Sequence, residues 1–238
     1  MEVGISEVPH RIELLATYKS SDVSGDCESV AFLGKDKFVA GYENGLEVIA
    51  KSASGPYQGR FRAKLSGDVE ALARHPDALI IALCAEEETM TVKYFTYPEL
   101  EFVRDACSFW RSGNSFSHLA VTKKRQMVIT DEANNQLRVL DLNGKALFTI
   151  PISGSLPSYS SVLCLPDGTI TVSQCLETGS VQRMRLFESS AEVLWTCGGL
   201  QTPTGMCVND AGLIFVGSET QKAIYMVSPS GRLKQAKD

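Results

Sequence analysis

The sequence predicts an all-β fold, a β-propeller with five recognisable four-stranded blades. The first observation is a short apolar strand that recurs five times, each time after a turn. If Ala40, Ile81, Thr130, Val172 and Val216 are equivalent, the steps along the chain are 41, 49, 42 and 44 residues. A repeat of roughly 40–50 residues is the length expected of one propeller blade. The second observation is that the sequence shows no helical 3.6-residue pattern of useful length.

Two apolar strands open each unit, and nearly all of their residues are hydrophobic, as expected for strands buried on both faces. The first strands are predicted at residues 29–33, 70–73, 119–121, 162–165 and 206–208. The second strands follow a polar turn and are predicted at residues 37–41, 78–82, 126–131, 168–173 and 212–217. These ten strands predict the inner half of each blade.

The outer half of a blade is clearest in the third unit. Residues 136–142 alternate between polar and apolar side chains and predict a third strand, and residues 146–150 predict an outer strand. The dipeptides Asn143-Gly144 and Ser230-Gly231 predict tight turns, because Gly and Asn accept positive φ angles. Four short antiparallel strands joined by turns complete the blade.

Composition narrows the class of protein further. The chain has 238 residues, of which 44% are hydrophobic, enough to bury a sizeable core in one all-β domain spanning residues 1–238. It contains no run of 18 apolar residues, and the polar stretch from Met1 to Arg11 shows no secretory signal. Seven cysteines without metal-ligand spacing favour a reducing, cytoplasmic setting. Cys164 and Cys207 are interpreted as small buried hydrophobic residues.

Two units resemble a known repeat. Ser161–Ser173 and Pro203–Val216 resemble an NHL repeat, in which a P-x-G-hydrophobic-x-V strand leads to a D-G-x-hydrophobic-x-V strand. Ala223–Gly231 matches the later turn of the same pattern, whereas the first two units lack the turn glycine after Asp36 and Asp77. NHL propellers commonly form the C-terminal recognition domain of tripartite-motif ubiquitin ligases. The resemblance therefore implies a recognition module of the ubiquitin pathway. Nothing in the chain resembles a RING finger, B-box or coiled coil.

The two ends of the chain leave the blade count open. Residues 11–19 predict a strand before the first unit, and residues 232–237 predict an outer strand for the fifth. Only one of these two strands can be the outer strand of the fifth blade. Either the ring has five blades and one strand is spare, or it has the six blades usual for NHL propellers and lacks roughly thirty C-terminal residues. We expect five blades, at about residues 28–65, 68–106, 117–152, 160–197 and 204–237.

Blade geometry sorts the charged residues onto two faces. Connections after the second and outer strands share one face, which we call the acidic face, and the remaining turns form the opposite face. The acidic face collects these residues: Asp26, Glu28, Glu43, Asp68, Glu70, Glu86, Glu87, Glu88, Asp131, Glu132, Glu177 and Glu219, with Arg60, Arg111 and Lys222 as its bases. The opposite face collects these bases: Lys35, Lys37, Arg74, Lys123, Lys124, Arg125 and Lys145. Ordinary solvated loop charges would be the alternative interpretation.

The acidic face predicts a protein partner with a basic segment. A longer insertion at residues 107–116 carries Trp110 and Arg111, residue types enriched at binding hot spots, and they are the predicted anchor. The predicted electrostatic contacts are Glu86, Glu87, Glu88, Asp131 and Glu132. The alternative role for Trp110 is packing between blades. No cofactor or membrane contact is expected, and further domains of a longer parent chain are compatible with the pattern.

Nucleic acid is a poor fit for this chain. Some NHL propellers bind RNA and share a strongly basic top surface. Here the net charge is −5 and the sequence pI about 5.3, which leaves little to neutralise phosphates. The basic triplet Lys123-Lys124-Arg125 lies in one turn of the opposite face and has no interleaved aromatic residues. RNA binding is therefore not expected.

An enzyme is the alternative hypothesis. Some propeller hydrolases that resemble gluconolactonases hold a divalent cation with carboxylates at the mouth of the axial channel. The starts of the first strands place Asp26, Glu28, Asp68, Glu70 and His118 near that mouth, and oxygen ligands of this kind suit calcium. The chain has only three histidines and no Gly-x-Ser-x-Gly pattern, so no acid–base relay is evident. A histidine in the position of His118 is more often a satisfied polar group at a strand start than a base.

Overall fold

Nearly all regular structure in the protein is β-strand. The computed structural model describes residues 18, 20, 25–34, 36–53, 55–111, 117–152, 160–174 and 179–235. Within those ranges, twenty strands form five antiparallel four-stranded sheets arranged in a ring, and one 3-10 turn spans Glu132–Asn134. The predicted all-β propeller with five four-stranded blades is confirmed.

Each blade takes its four strands, from inner to outer, from one continuous stretch of chain. Blade 1 contains β1 (Cys27–Gly34), β2 (Lys37–Tyr42), β3 (Gly45–Lys51) and β4 (Tyr57–Lys64). Blade 2 contains β5 (Asp68–Arg74), β6 (Ile80–Glu86), β7 (Thr89–Phe95) and β8 (Phe102–Trp110). Blade 3 contains β9 (Leu119–Val121), β10 (Gln126–Asp131), β11 (Gln136–Asp141) and β12 (Ala146–Pro151). Blade 4 contains β13 (Val162–Cys164), β14 (Ile170–Gln174), β15 (Gly179–Leu186) and β16 (Ala191–Leu200). Blade 5 contains β17 (Pro203–Val208), β18 (Ile214–Ser218), β19 (Ala223–Val227) and β20 (Leu233–Gln235).

The second blade differs from its predicted limits. Residues 107–110 were expected to begin a loop insertion, but β8 continues through them, and Trp110 pairs with Thr89 of β7. One edge of β7 pairs with β6 and the other edge is available over the whole strand. The chain therefore continues to form backbone hydrogen bonds with β7 as far as Trp110 before it leaves the sheet. Residues 112–116 of the predicted insertion lie outside the described residues.

Positive φ angles recur at one place in every blade, the turn between the first and second strands. Gly168 and Gly212 occupy this place in blades 4 and 5, as the NHL-like pattern predicts. In blades 1 to 3 the positive φ falls on Asp36 (58°), Ala78 (62°) and Arg125 (60°). The turn geometry is therefore retained where the sequence lacks the glycine that would adopt it without strain.

The hydrophobic core lies between blades. Four clusters each draw buried side chains from two neighbouring blades; one joins Leu83 and Tyr94 of blade 2 to Met127 and Ile129 of blade 3, all 0% exposed. Equivalent clusters join blades 1 and 2, blades 3 and 4, and blades 4 and 5. A fully buried side chain of this size contributes about 1.5–3 kcal/mol through burial. Packing between blades is thus the main source of stability.

Basic side chains of the opposite face fasten each blade to a neighbour. Arg125 of blade 3 donates two hydrogen bonds, of 3.0 and 2.7 Å, to the carboxylate of Asp77 in blade 2. The Arg183 guanidinium of blade 4 donates to the Pro229 carbonyl of blade 5 at 2.6 Å. Further contacts of this kind come from Arg74, Arg104, Lys123 and Lys124. Several bases of this face are therefore engaged within the ring.

Among the described residues, blades 5 and 1 share none of the core clusters. On the face of blade 1 that points away from blade 2, Ala40, Tyr42 and Ile49 form a small buried cluster with Tyr18. The Tyr18 hydroxyl donates to Glu47 Oε1 at 2.9 Å. Apart from Tyr18, the predicted N-terminal strand at residues 11–19 lies outside the described residues. The outer slot of blade 5 is filled by β20, from the predicted C-terminal strand.

Blades 1 and 5 each expose large apolar side chains, as the other blades also do. Phe32 of β1 is 75% exposed and Ile224 of β19 is 38% exposed. The interpretation of Cys207 as buried is wrong: it lies exposed on β17, the inner strand of the last blade. Cys164, on the inner strand between two neighbouring blades, is partly buried. The inner strands of blades 1 and 5, β1 and β17, are more exposed than the inner strand β5 of blade 2.

Among the residues that the structure describes, no helix has the length and apolar character needed to cross a lipid bilayer.

Candidate functional site

Two acidic side chains on the acidic face occupy irregular positions in inner strands. In β5 the pairing passes from Val69 with Cys84 to Ala71 with Leu83, so Glu70 is an extra residue. In β1 the register shifts in the same way between residues 27 and 29, so Glu28 is the extra residue there. A β-bulge of this kind redirects the side chain it carries. The side chains of Glu28 and Glu70 therefore do not follow the regular alternation between the two faces of their strands.

Glu70 is buried and contacts the connection to blade 3. It is 3% exposed. Its Oε2 accepts a hydrogen bond of 2.7 Å from the Ser117 amide, and its Oε1 lies 3.0 Å from Arg111 Nη2 in an ion pair. Burial raises the pKa of Glu70 to about 7, against the opposing effects of the Ser117 amide and the Arg111 guanidinium. The net direction shows that desolvation of the carboxylate outweighs both partners.

Carboxylates crowd together where blades 1 and 2 begin. The pKa of Glu28 is raised by burial and by the neighbouring carboxylates of Asp26, Asp68 and Glu43, in that order. Asp68 and Glu28 also raise the pKa of Glu70. These groups lie close enough to feel each other's charge, so the acidic face carries a concentrated negative potential at this point.

The β6–β7 turn and the end of β8 form one local unit. Glu86 ends β6, and its carboxylate accepts a 2.8 Å hydrogen bond from the Ser66 hydroxyl and lies 3.3 Å from Lys93 Nζ. The Ser66 hydrogen bond lowers the pKa of Glu86, and Lys93 adds to the shift. Glu87 and Glu88 form the turn and are exposed. The Arg111 amide donates to the Glu88 carbonyl at 2.8 Å, which places this acidic turn beside Trp110.

Trp110 projects into solvent. The side chain is 60% exposed, so the alternative in which it packs between blades is wrong. The preceding aromatic residue, Phe109, is partly buried, and its ring lies under the Arg138 guanidinium, 5.0 Å from the ring centroid. Successive side chains of β8 point to opposite faces of the sheet, so the Phe109 ring is packed and the Trp110 ring is exposed.

Asp131 of blade 3 is held by a dense set of donors. It is 3% exposed and accepts hydrogen bonds from Arg138 Nε at 2.7 Å, from Gln136 Nε2 at 2.8 Å, and from Asn134. Glu132 follows in the 3-10 turn, with a partly buried side chain. The charge of Asp131 is thus balanced inside the protein.

The structure brings all seven predicted partner-binding residues into one region of the acidic face. Glu86, Glu87 and Glu88 lie beside Trp110 and Arg111, and the stack of Phe109 on Arg138 leads from there to Asp131 and its neighbour Glu132. Their exposure divides them. Glu87, Glu88 and Trp110 face solvent, whereas Arg111 (side chain 11% exposed) and Asp131 are engaged in ion pairs. Two other charges that the sequence sorted by face, Glu177 and Lys35, lie outside the described residues.

The alternative set of metal ligands does not converge. Within residues 18, 20, 25–34, 36–53, 55–111, 117–152, 160–174 and 179–235, no group of three His, Cys, Asp or Glu side chains is arranged to hold a metal ion. Asp26, Glu28, Asp68 and Glu70 lie near the starts of β1 and β5. His118 precedes β9, and burial lowers its pKa to about 4, so its imidazole is neutral at physiological pH.

The sequence did not predict the ion pair between Glu70 and Arg111. It placed Glu70 among the acids and Arg111 among the bases of the acidic face, but it gave no reason to pair them. It also missed Glu47, which is 0% exposed and accepts a 2.7 Å hydrogen bond from Arg62 Nε. A signal for Glu47 was present: it is the single acid in the apolar strand Gly45–Lys51. A bulge at Glu70 has no comparable signal, since it depends on the partner strand.

Comparisons with known proteins show the fold. No family model matches the chain, so the resemblance to NHL repeats and tripartite-motif proteins is not confirmed. No curated protein matches it in sequence either. Among solved structures, a Bacteroides caccae protein of unknown function has a TM-score of 0.66 and 14% identity, covering 90% of this chain and 82% of that one.

Two further structural neighbours carry names that include an activity. A candidate 6-phosphogluconolactonase from Bacteroides fragilis has a TM-score of 0.64 and 12% identity over 87% of this chain and 68% of that chain. A catalytically inactive variant of virginiamycin B lyase from Staphylococcus aureus, with quinupristin, has a TM-score of 0.65 and 9% identity over 92% and 72%. At such identities the likeness extends to the propeller fold alone.

Proposed function

We propose that this protein is a recognition module whose acidic face binds a basic segment of another protein. The observation that carries the proposal is the unit formed by Trp110, 60% exposed, and the exposed acids Glu87 and Glu88 beside it. A large exposed aromatic ring next to two carboxylates offers apolar contact and charge attraction within the reach of one peptide.

The bases near the exposed acids of this face are engaged in ion pairs within the protein. Arg111 and Arg138 are held in ion pairs with Glu70 and Asp131, and Lys93 lies between two carboxylates, Glu86 at 3.3 Å and Asp105 at 3.4 Å. The partners of Arg111 and Arg138 are buried acids, while Glu87 and Glu88 of the β6–β7 turn are exposed and keep their field. This field would steer a basic segment toward Trp110 and raise its association rate.

The NHL-like pattern supports the same class of function, because proteins with that repeat act mainly by recognition. A place in the ubiquitin pathway, a cytoplasmic setting and further domains in a longer parent chain belong to this proposal as expectations. The partner is defined here only by its chemistry: a segment rich in Lys or Arg, with room for an apolar contact against the Trp110 ring.

The test is binding of a fluorescent octalysine peptide. We expect reversal of Glu86, Glu87 and Glu88 to lysine to weaken binding at least tenfold and to flatten its salt dependence, because exposed charges act through a field screened over about 8–10 Å.

A matched control carries the same charge change on the opposite face, at Glu99, Glu101 and Glu188, all of which are exposed. It should bind within about twofold of the unmodified protein at 0.15 M salt, where the Debye length is about 8 Å. Equal losses in both variants would mean that only net charge matters and would contradict a site on the acidic face.

Lactone hydrolysis is the second candidate. It is favoured by the pKa of Glu70, which at about 7 suits a general acid or base at neutral pH, and by the neighbour named for 6-phosphogluconolactone. The check is hydrolysis of gluconolactone with and without calcium. Turnover that is abolished by Glu28→Gln would replace the recognition proposal with this one.

A further inference from the structure

Glu70 connects three segments that are separate in sequence. It belongs to the bulge of β5, and its carboxylate accepts from the Ser117 amide just before β9 at 2.7 Å. The other oxygen lies 3.0 Å from Arg111 Nη2, directly after β8. One buried side chain, 3% exposed, thus holds both ends of the connection between blades 2 and 3.

Arg111 is consequently fixed from two directions. Its amide donates to the Glu88 carbonyl at 2.8 Å, which ties its main chain to the acidic β6–β7 turn. Its side chain is drawn inward to Glu70 and is 11% exposed. Trp110 is the residue before it, paired with Thr89 and 60% exposed. The exposed indole therefore belongs to the residue directly before the one that Glu70 and Glu88 hold.

We propose that Glu70 is a positioning residue, which through Arg111 and Ser117 fixes Trp110 in the orientation that a basic partner contacts. This inference rests on the proposed function only for the identity of the partner. The positioning itself is a property of the free protein, and it can be measured without any ligand.

A carboxylate is well suited to this role. It offers two acceptor oxygens, so one can bind an amide N–H while the other pairs with a guanidinium. A glutamine in its place keeps one acceptor oxygen and turns an NH₂ group toward the other partner. The ion pair has a second effect, because Arg111 bound to Glu70 is kept away from the exposed carboxylates of Glu87 and Glu88. Those acids then remain available to the basic segment.

The experiment uses Trp110 as its own reporter. The chain has two tryptophans, and Trp195→Phe introduced into every variant leaves Trp110 as the single indole. At about pH 8.5, where the Glu70 carboxylate is ionised, we expect Glu70→Gln to raise the acrylamide quenching constant of Trp110 about twofold and to lower its fluorescence anisotropy, because the charge-assisted contact to Arg111 is lost. Circular dichroism melting shows that each variant is folded.

Glu47→Gln is the matched control. Glu47 is another buried carboxylate, 0% exposed and 2.7 Å from Arg62, but it lies in blade 1. It should leave the quenching and anisotropy of Trp110 unchanged. If Glu70→Gln does not fold, Arg111→Gln removes the same ion pair from the other side and should raise the quenching to a similar extent.

The outcomes separate this inference from the proposed function. Increased quenching in Glu70→Gln but not in Glu47→Gln supports positioning, whether or not octalysine binds. Unchanged quenching in Glu70→Gln, or an equal change in Glu47→Gln, overturns it. Octalysine titration is a separate arm: the Glu70 variant should bind about fivefold more weakly, whereas a protein without any affinity for octalysine contradicts the proposed function alone.

Discussion

The two faces of the propeller use charge in different ways. On the opposite face, Arg125, Arg183 and Lys124 each reach a neighbouring blade and bind a carboxylate or a main-chain carbonyl there. On the acidic face, Glu87 and Glu88 form an exposed turn beside Trp110. Several bases of the first face are engaged in holding blades together, while the acids of the β6–β7 turn on the second face are exposed beside Trp110.

This difference shows that counting charges on a face does not reveal their role. The sequence alone assigned acids and bases to faces by blade geometry, but it could not show that several bases end on carbonyl oxygens of a neighbouring blade. Substitutions at comparable residues of the two faces should therefore affect stability on one face and binding on the other.

The two tryptophans provide the largest expected contrast. Trp195 packs against blade 5, where its indole N–H donates to the Pro229 carbonyl at 3.0 Å. Trp195→Ala should lower the free energy of unfolding by about 3 kcal/mol, since both packing and a hydrogen bond are lost. Trp110→Ala should change it by less than about 1 kcal/mol and weaken octalysine binding. Urea unfolding measures the first effect; equal destabilisation by both substitutions would show that Trp110 is also structural.

The next contrast concerns pH. The pKa of Glu70 in the folded protein is about 7, against an ordinary value of 4.5. Its contribution to stability is therefore fully present below about pH 4.5 and is lost as pH rises through about 7. The Glu70→Gln variant lacks the titrating group and does not lose this stability. The unfolding free energy of the variant minus that of the unmodified protein should therefore increase by about 2–3 kcal/mol between pH 5 and pH 8.

Asp77→Asn on the opposite face is the control for this pH effect. The hydrogen bond from Arg125 lowers the pKa of Asp77, so its contribution is present above the ordinary value of 3.8 and lost only as pH falls below it. Between pH 5 and pH 8 its difference from the unmodified protein should be constant. Parallel pH profiles for the Glu70 variant and the unmodified protein would contradict the raised pKa.

Two arginines of β15 sharpen the comparison within the opposite face. The Arg183 side chain is 12% exposed and contacts Asp167, Thr169 and the Pro229 carbonyl, whereas Arg185 is 56% exposed and pairs with Glu192 at 3.4 Å. We expect Arg183→Ala to cost about 1–2 kcal/mol and Arg185→Ala less than about 0.5 kcal/mol in chemical denaturation. Similar costs would mean that the contact between blades adds nothing beyond a surface ion pair.

The smallest effect is expected in a turn of the opposite face. Ala78 has a φ of 62°, where its equivalents Gly168 and Gly212 adopt positive φ freely. Ala78→Gly should stabilise the protein by about 0.5–1 kcal/mol, the relief of local strain less the entropy that glycine loses on folding. Thermal melting measures this gain. Gly212→Ala supplies the inverse change and should destabilise the protein by a similar amount; a lower melting temperature for Ala78→Gly would show that the turn at Ala78 is not strained.

The sequence predicted the features that depend on local pattern. The repeat located β2, β6, β10, β14 and β18, because an apolar run between turns identifies an inner strand without knowledge of its partner. The seven predicted partner-binding residues were grouped by blade geometry, and the structure brings them into one region. Their role in binding stays a prediction.

Features that depend on a second strand or a second blade could not be predicted. The bulge at Glu70 exists only relative to β6, and β8 reaches Trp110 because β7 is there to pair with it. Cys207 is exposed on β17, and the apolar residues beside it in sequence do not indicate this. Local propensity is overridden in each case by tertiary context.

The continuity of each blade along the chain has a consequence for how the protein folds. Every sheet, including the fifth with its own strand β20, pairs strands that follow one another directly in sequence. Pairings of such low contact order form quickly, so each blade can assemble without waiting for a distant strand. Bringing blade 5 beside blade 1 is the step that spans the longest stretch of chain. Its entropic cost grows only with the logarithm of that length, and we expect it to come last.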